Sequence, residues 1–302
     1  MNNTLFSKHN IIEIFTFILG IGIIVAALCP FYAKLSDIYI YDILAIKVKC
    51  EDIKLEPDNS LQVLFLGDSE CYSCFDPNYL YKKYGYSSFN CGTSAQKICD
   101  SYAIAYKCYD NQSPDIIVLE TNNLFRSTNP VDDHWDPVLN TLLKNVPTFA
   151  NHSYWKPIAR KLLPRDHELK RRKNKGYLKR EEVKPYKGGN YMKKTSKSRK
   201  IDKEVLSYLD DLNNVCKEHG TTLLLVSSPS TVNWNYKKHN SVQKWADENS
   251  VDYVDMNLED VGINWKKDTR DSGDHMNKYG AKKVTGFMGK YFKEHYQLTS
   301  DK

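Results

Sequence analysis

Two uninterrupted apolar runs, Ile116-Ile117-Val118-Leu119 and Thr222-Leu223-Leu224-Leu225-Val226, constrain the fold of this chain more than any other feature. A strand with one wet face alternates apolar and polar residues. A run that is apolar at every position belongs to a strand covered on both faces, as in a parallel sheet sandwiched by helices. Stretches at 62–66, 86–90 and 251–255 complete a set of five strand candidates, with helical stretches between them. The helix around Asp202–His219 runs into Gly220, a residue suited to the left-handed turn that closes helices. A last helix covers about Lys278–Tyr296. This alternation predicts a three-layer α/β/α architecture around a parallel sheet. The 302 residues hold one such domain of about 230 residues with extensions.

The first extension is N-terminal. Ile14 to Ala33 is an uncharged run of twenty residues between Glu13 and Lys34. As a helix it would be roughly 30 Å long, enough to cross a bilayer. A cleaved signal peptide is the competing expectation, with Val25-Ala26-Ala27 as a small-residue cleavage site. The run is longer than a normal signal core, and only Lys8 gives a firm positive charge before it. A retained anchor is therefore expected, over residues 1–33, followed by a stalk or lead-in at 34–60 and a globular domain at 61–302. Lys8 precedes the run, and Lys34, Lys47 and Lys49 follow it, so the flanking charges leave the orientation open.

The second extension lies between the third and fourth strands, a separation of about a hundred residues and far longer than a strand–helix connection requires. From Lys156 to Lys203 there are 19 Lys or Arg against 5 Asp or Glu, a local excess of +14 in a protein whose net charge is +6. Such a segment reads either as a solvated loop or as a contact surface for anionic lipid headgroups or an anionic polymer. Lys170, Arg171, Arg172 and Lys173 form its densest cluster. Nothing in it matches a base-reading module, and a membrane anchor argues against nucleic acid as partner.

Eight cysteines are present, seven of them beyond the apolar run, so the seven cannot all pair with one another. Cys71 and Cys74 have the spacing of a redox or zinc motif, but no second pair supplies further ligands. Buried thiols acting as small apolar residues are expected. Asp132-Asp133-His134-Trp135-Asp136 offers three carboxylates and a histidine, and is expected to be a solvated loop rather than a cation site. No metal or cofactor is expected. Trp135, Trp155, Trp234, Trp245 and Trp265 are equally eligible as faces for a sugar ring.

The chemistry gathers at two ends of the globular part. Gly67-Asp68-Ser69-Glu70 follows the strand Gln62-Val63-Leu64-Phe65-Leu66. Gly67 permits a sharp turn, and a serine there presents its hydroxyl at the carboxyl edge of the sheet, where open α/β sheets build their sites. Far along the chain comes Asp271-Ser272-Gly273-Asp274-His275-Met276-Asn277. A serine hydroxyl needs a base within hydrogen-bond reach, and the base needs a carboxylate to set its tautomer. His275 is the candidate base. Asp271 and Asp274 compete for its other nitrogen, and Asp271 is favoured because side chains adjacent in an extended loop point apart. Asp274 is then free to cap the following helix. Asp68 is expected to make local hydrogen bonds rather than to catalyse.

With Asn90-Cys91-Gly92-Thr93-Ser94 and Glu120-Thr121-Asn122-Asn123 lying between those ends, four blocks in this order resemble the SGNH (GDSL-like) hydrolase superfamily over about residues 60–295. The resemblance implies Ser69 as nucleophile. It also implies three oxyanion donors: the Ser69 N–H, the Gly92 N–H and the Asn122 side-chain amide. Two departures stand out. Glu120 replaces the usual glycine of the third block, and the aspartates lie four and one residues before His275 where the family commonly has three. The anchor, the Gly-x-Ser-Glu start and the Asp-His-x-Asn ending look closest to one branch. That branch comprises the membrane-anchored proteins of cell-envelope polymer acylation, such as DltD and the alginate O-acetylation proteins. The branch implies an extracytoplasmic domain and an O-acyl transfer fed by a membrane-bound O-acyltransferase, with an anionic envelope glycopolymer as acceptor. A carbohydrate esterase, or a non-catalytic polymer-binding protein of the same fold, are the alternatives.

Overall fold

The computed structural model describes residues 8–39, 49–50, 52–128, 146, 173–296 and 298. The chain divides into two compact units, one of Met1–Leu44 with Asn129–Pro164 and one of Ala45–Thr128 with Arg165–Lys302. In the first, helix α1 spans Lys8–Tyr39. Its stretch Ile12–Phe31 has a mean hydropathy of 2.5 and is long and apolar enough to cross a membrane. Phe15, Phe17, Ile18 and Ile23 are exposed on it.

The second unit is a five-stranded parallel sheet in the order β2-β1-β3-β4-β5. The strands are β1 (Val63–Leu66), β2 (Ser88–Asn90), β3 (Ile116–Glu120), β4 (Thr222–Ser227) and β5 (Asp252–Asp255). This is the flavodoxin-like order, whose sites lie beyond the carboxyl ends of the strands. The helices are α2 (Ser69–Cys74), α3 (Pro77–Tyr84), α4 (Ile98–Cys108), α5 (Lys203–Glu218), α6 (Tyr236–Asn249) and α7 (Lys278–His295). A 3-10 turn, Thr121–Phe125, follows β3.

The uninterrupted apolar runs are explained by the two cores. Leu64, Leu66, Ile117, Leu119, Leu223 and Leu225 pack on one face with Ile104, Leu209 and Val242. Val63, Phe65, Ile116, Val118, Leu224 and Val226 pack on the other with Leu80, Met288 and Phe292. Side chains alternate faces along a strand, so only apolar residues at every position fill both layers. Each large side chain buried this way contributes about 1.5–3 kcal/mol.

The described part of the basic segment is an extended strap on the second unit. Asn90 N–H donates to the Lys175 carbonyl, and Leu178 N–H to the Tyr72 carbonyl. Further on, Lys184 N–H donates to Thr269 and Tyr186 N–H to Trp265, while Ser272 and Lys278 donate to the carbonyls of Lys184 and Arg180. Tyr177 and Ile201 are buried. The lysines at 179, 184, 187, 193, 194 and 197 stay exposed. The segment thus gives its backbone to the fold and its charge to solvent. Lys173 is exposed. Lys170, Arg171 and Arg172, and the whole of Asp132–Asp136, lie outside the described residues.

All eight cysteines are thiols, and Cys71, Cys74, Cys91, Cys108 and Cys216 are buried. Burial pushes the Cys71 and Cys74 thiols well above their ordinary acidity range, with Glu120 adding to the effect at Cys71 and Glu70 at Cys74. They behave as apolar side chains on α2 facing the sheet.

Candidate active site

Ser69 is the first residue of α2, immediately past the carboxyl end of β1, and is half-buried. Gly67 makes the turn with φ +142°, and a Cβ there would come within 2.7 Å of the Glu120 Cβ. Only glycine lets β1 turn this tightly against the end of β3. Asp68 caps α2: its Oδ1 accepts from Glu70 N–H at 3.0 Å. Its Oδ2 accepts from Asn122 Nδ2 at 2.8 Å and from Arg126 Nε and Nη2 at 2.9 and 2.7 Å. Asp68 is fully buried, and this ring of donors is what a buried carboxylate requires.

His275 sits in a tight loop between β5 and α7, closed by an antiparallel bridge between Thr269 and Met276. Ser272 and Gly273 have φ of +66° and +97°. A Cβ on Gly273 would run into Thr231 Oγ1 and the Tyr186 side chain, so the loop folds directly beneath the strap. The two left-handed residues bring Asp271 back onto His275. One carboxylate oxygen accepts the His275 backbone N–H at 2.6 Å, and the other lies 2.6 Å from Nδ1. Asp274 Oδ2 is 3.4 Å from the same nitrogen, and its Oδ1 accepts from Asn233 Nδ2 at 2.5 Å. Burial works against the charge on Asp271, but the two hydrogen bonds from His275 outweigh it and hold this carboxyl below its ordinary range. Burial pushes Asp274 up, and the charge of Asp271 adds to that. Nε2 of His275, the nitrogen a nucleophile would use, is buried and has no partner among the described residues.

Asn233, in the loop after β4, ties the two ends together. Its Nδ2 donates to Glu70 Oε1 at 2.9 Å as well as to Asp274. The residue after Ser69 is thereby linked to the residue before His275. Arg270 Nη2 adds a second tie to Ser73 Oγ of α2 at 3.2 Å. Glu70 is almost fully buried, and its Oε2 has no partner among the described residues. Burial, then the charges of Asp68, Glu120 and Asp274, push its carboxyl well above its ordinary range. Glu70, Asp274 and His275 each bring a ligating atom to within 4.8 Å of the others.

Gly92 and Asn122 lie on the same edge. Gly92 N–H donates to Asn90 Oδ1 at 3.0 Å, while Asn90 Nδ2 donates to the carbonyls of Cys71 and Phe75 and so fastens β2 to α2. Asn122 lies in the 3-10 turn with its Nδ2 toward Asp68 and its Oδ1 accepting from Lys238 Nζ at 2.9 Å. Glu120 accepts the N–H groups of Asn122 and Ser228. Burial and then the charge of Asp68 push it well up. Of the tryptophans described, Trp234 and Trp245 are buried. Trp265 is half-buried beside Tyr186 and Tyr191, at ring distances of 6.0 and 5.6 Å. Asn233, Lys238, Arg126 and Glu70 were not singled out from the sequence. Only Glu70, adjacent to the serine in a polar motif, carried a local signal.

No family model and no curated protein matches the chain. Among solved structures it is similar to a GDSL-like lipase from Bacteroides thetaiotaomicron, with 11% identity, 82% of this chain and 97% of that one covered, and a TM-score of 0.44. It is also similar to a protein assigned to the G-D-S-L lipolytic family from Desulfitobacterium hafniense, with 12% identity, 77% and 99% covered, and a TM-score of 0.43.

Proposed function

We propose that the protein performs acyl-ester chemistry through a Ser69–His275–Asp271 triad, as an O-acyltransferase of a cell-envelope polysaccharide or teichoic-like polymer. The observation that carries this reading is the Asp271–His275 pair, with the adjacent Asp274 tied through Asn233 to Glu70 on the turn that presents Ser69. Asp271 holds Nδ1, which leaves Nε2 as the base. Nε2 takes the Ser69 proton as Oγ attacks the ester carbonyl, then returns it to the leaving alcohol as the tetrahedral intermediate collapses to the acyl-enzyme. A sugar hydroxyl, or water in an esterase, then attacks the acyl-enzyme by the same proton route in reverse. The negative oxygen of the intermediate is met by the N–H of Ser69, the N–H of Gly92 shared with Asn90, and the second Asn122 amide proton, the first being held by Asp68. Losing one such donor costs about 10²–10³ in rate.

Helix α1 anchors the domain in the membrane with its site outside the cytoplasm. A membrane-bound O-acyltransferase supplies the acyl group, and the exposed lysines of the strap meet an anionic glycopolymer or lipid headgroups. The test of the chemistry is a fluorophosphonate probe followed by mass spectrometry. Labelling on Ser69, lost in Ser69→Ala, is expected, and equal labelling of both proteins refutes the triad. Incubation of the labelled-competent protein with an acetyl ester, with and without a glycan acceptor, separates transfer from hydrolysis.

A further inference from the structure

Lys238 is a lysine with 7% exposure in the first turn of α6, with its ammonium at the site. Burying a charged amine is costly unless it is paired, so its partners matter. Nζ donates to Asn122 Oδ1 at 2.9 Å and to the Asn233 carbonyl at 2.5 Å. It lies 4.8 Å from the centre of the Phe125 ring and 5.6 Å from that of Trp234, which favours the cation. On the far side of Asn122, Nδ2 donates to Asp68, itself held by Arg126.

The side-chain amide of an asparagine has two ends of nearly equal shape, one donating and one accepting. Here an ammonium that can only donate faces one end, and a carboxylate that can only accept faces the other. Reversing the amide would put NH₂ against NH₃⁺ and C=O against COO⁻, both among buried groups. We infer that Lys238 is a positioning residue that fixes the polarity of the Asn122 amide, keeping its NH₂ end toward the Ser69 turn. The effect on turnover rests on the reading of Asn122 as an oxyanion donor. The polarity of the amide does not. A short segment, Asn233 to Lys238, then sets both halves of the site: Asn233 Nδ2 the histidine side, Lys238 Nζ the oxyanion side.

The charged groups around Lys238 are Arg199 from the strap, Glu120 at the end of β3, Asp68 at the Ser69 turn and Arg126 after the 3-10 turn. Burial first, then Arg199, bring its pKa down to about 8, against the pull of Glu120 and Asp68. Above that pH the neutral amine can accept as well as donate, and the lock loosens.

The experiment uses the full chain with Lys238→Met, Lys238→Arg, Asn122→Ala and the Lys238→Met/Asn122→Ala double variant, assayed on p-nitrophenyl acetate. Lys238→Met should lower kcat about 10–100-fold, part of the 10²–10³ that a whole oxyanion donor is worth, with KM little changed. Lys238→Arg should restore most of it and move any alkaline fall in kcat upward from near pH 8. The double variant should be no worse than Asn122→Ala alone. Wild-type kcat in Lys238→Met, or losses that multiply in the double variant, overturn the proposal. If Lys238→Met does not fold, the pH profile decides: an alkaline limb at the same pH in wild type and Lys238→Arg overturns it. If no variant turns over the ester, the Asn122 side-chain NH₂ signals in ¹⁵N NMR decide. One sharp pair in wild type that doubles or broadens in Lys238→Met upholds the positioning role while the acyl-ester reading falls. An unchanged pair overturns the positioning role.

Discussion

The turn that carries Ser69 and the loop that carries His275 reach the same sheet edge by different means. The Ser69 turn is made from regular structure: a buried strand, a glycine pressed against β3, and a helix capped by Asp68. Its supports are the two cores. The His275 loop has no strand or helix within it. It is held by two left-handed residues, by Asp271 gripping His275 at two atoms, and by the strap hydrogen-bonded along its rim. The first is fastened by packing, the second by a set of directional polar contacts. Packing tolerates little change in volume, whereas polar contacts tolerate little change in chemistry. Damage to the two should therefore differ in kind.

The largest expected effect is on the polar side. Asp271→Asn leaves the shape of the loop but presents the wrong hydrogen to Nδ1, and turnover should fall about 10⁴-fold. Asp274→Asn should cost far less, since Asp274 stands 3.4 Å from Nδ1 and its other oxygen is held by Asn233. Ester kinetics of both variants, with circular dichroism to establish folding, check this. An equal loss in both would show that the loop is sensitive as a whole.

Next come the two glycines, which separate packing from polar support most directly. Gly67→Ala drives a Cβ into β3 and should cost about 2–4 kcal/mol of stability. Gly273→Ala strains a left-handed position and presses a Cβ against the Thr231 and Tyr186 side chains; it should cost about 1–3 kcal/mol, yet lower kcat by up to about 10²-fold through displacement of His275. Urea unfolding and kcat on the same two variants give the comparison. If stability and activity fall together in both, the contrast fails.

A smaller effect is expected from Glu70. Its folded pKa is raised, so the stability tied to its proton is complete below the unfolded value, about 4.3. That contribution is lost as pH rises from there through the folded value. Glu70→Gln mimics the protonated acid and should remove this part of the pH slope. A gain of about 1 kcal/mol at pH 8 would raise the melting temperature by about 2–4 °C, with little change at pH 4. Melting curves at both pH values read it, and a loss of stability at pH 8 would mean that Glu70 is ionised in the fold.

The smallest effect on chemistry should come from the basic segment. Replacing Lys170, Arg171, Arg172 and Lys173 with glutamine should leave p-nitrophenyl acetate turnover within about twofold while weakening binding to anionic vesicles, the more so at low salt, because exposed charges are screened within about 8–10 Å at ordinary ionic strength. Loss of small-ester turnover in a folded variant would place this cluster in the site.

The five strands and the helix ends were legible because their causes are local. Uninterrupted apolar runs mark Val63–Leu66 and Thr222–Ser227 as strands, and Gly220 marks where a helix stops, but the last helix is capped by Asn277 and not by Asp274, which is held by Asn233 instead. Ser69 and His275 were candidates because of the short motifs around them. Asn233 was not: its partner Glu70 is 163 positions away, and nothing in Thr231-Val232-Asn233-Trp234 announces a bridging amide. The strap shows the same limit. Its charge was plain in the sequence, whereas its backbone bonds to Thr269, Ser272 and Trp265 depend on where the fold places those residues.

The sequence by itself determined the layered sheet, the apolar N-terminal helix, and the order of serine and histidine along the chain. Each follows from side-chain type at short spacing, where hydrophobic period, caps and turn residues act. Tertiary structure alone decided that Asn233 meets both Glu70 and Asp274, that Glu120 accepts two backbone N–H groups, and that Lys238 meets Asn122 across 116 positions. Buried polar groups take whatever partner the packed chain brings within about 3 Å. That partner is set by topology and by left-handed turns such as Ser272-Gly273, and no local pattern encodes it.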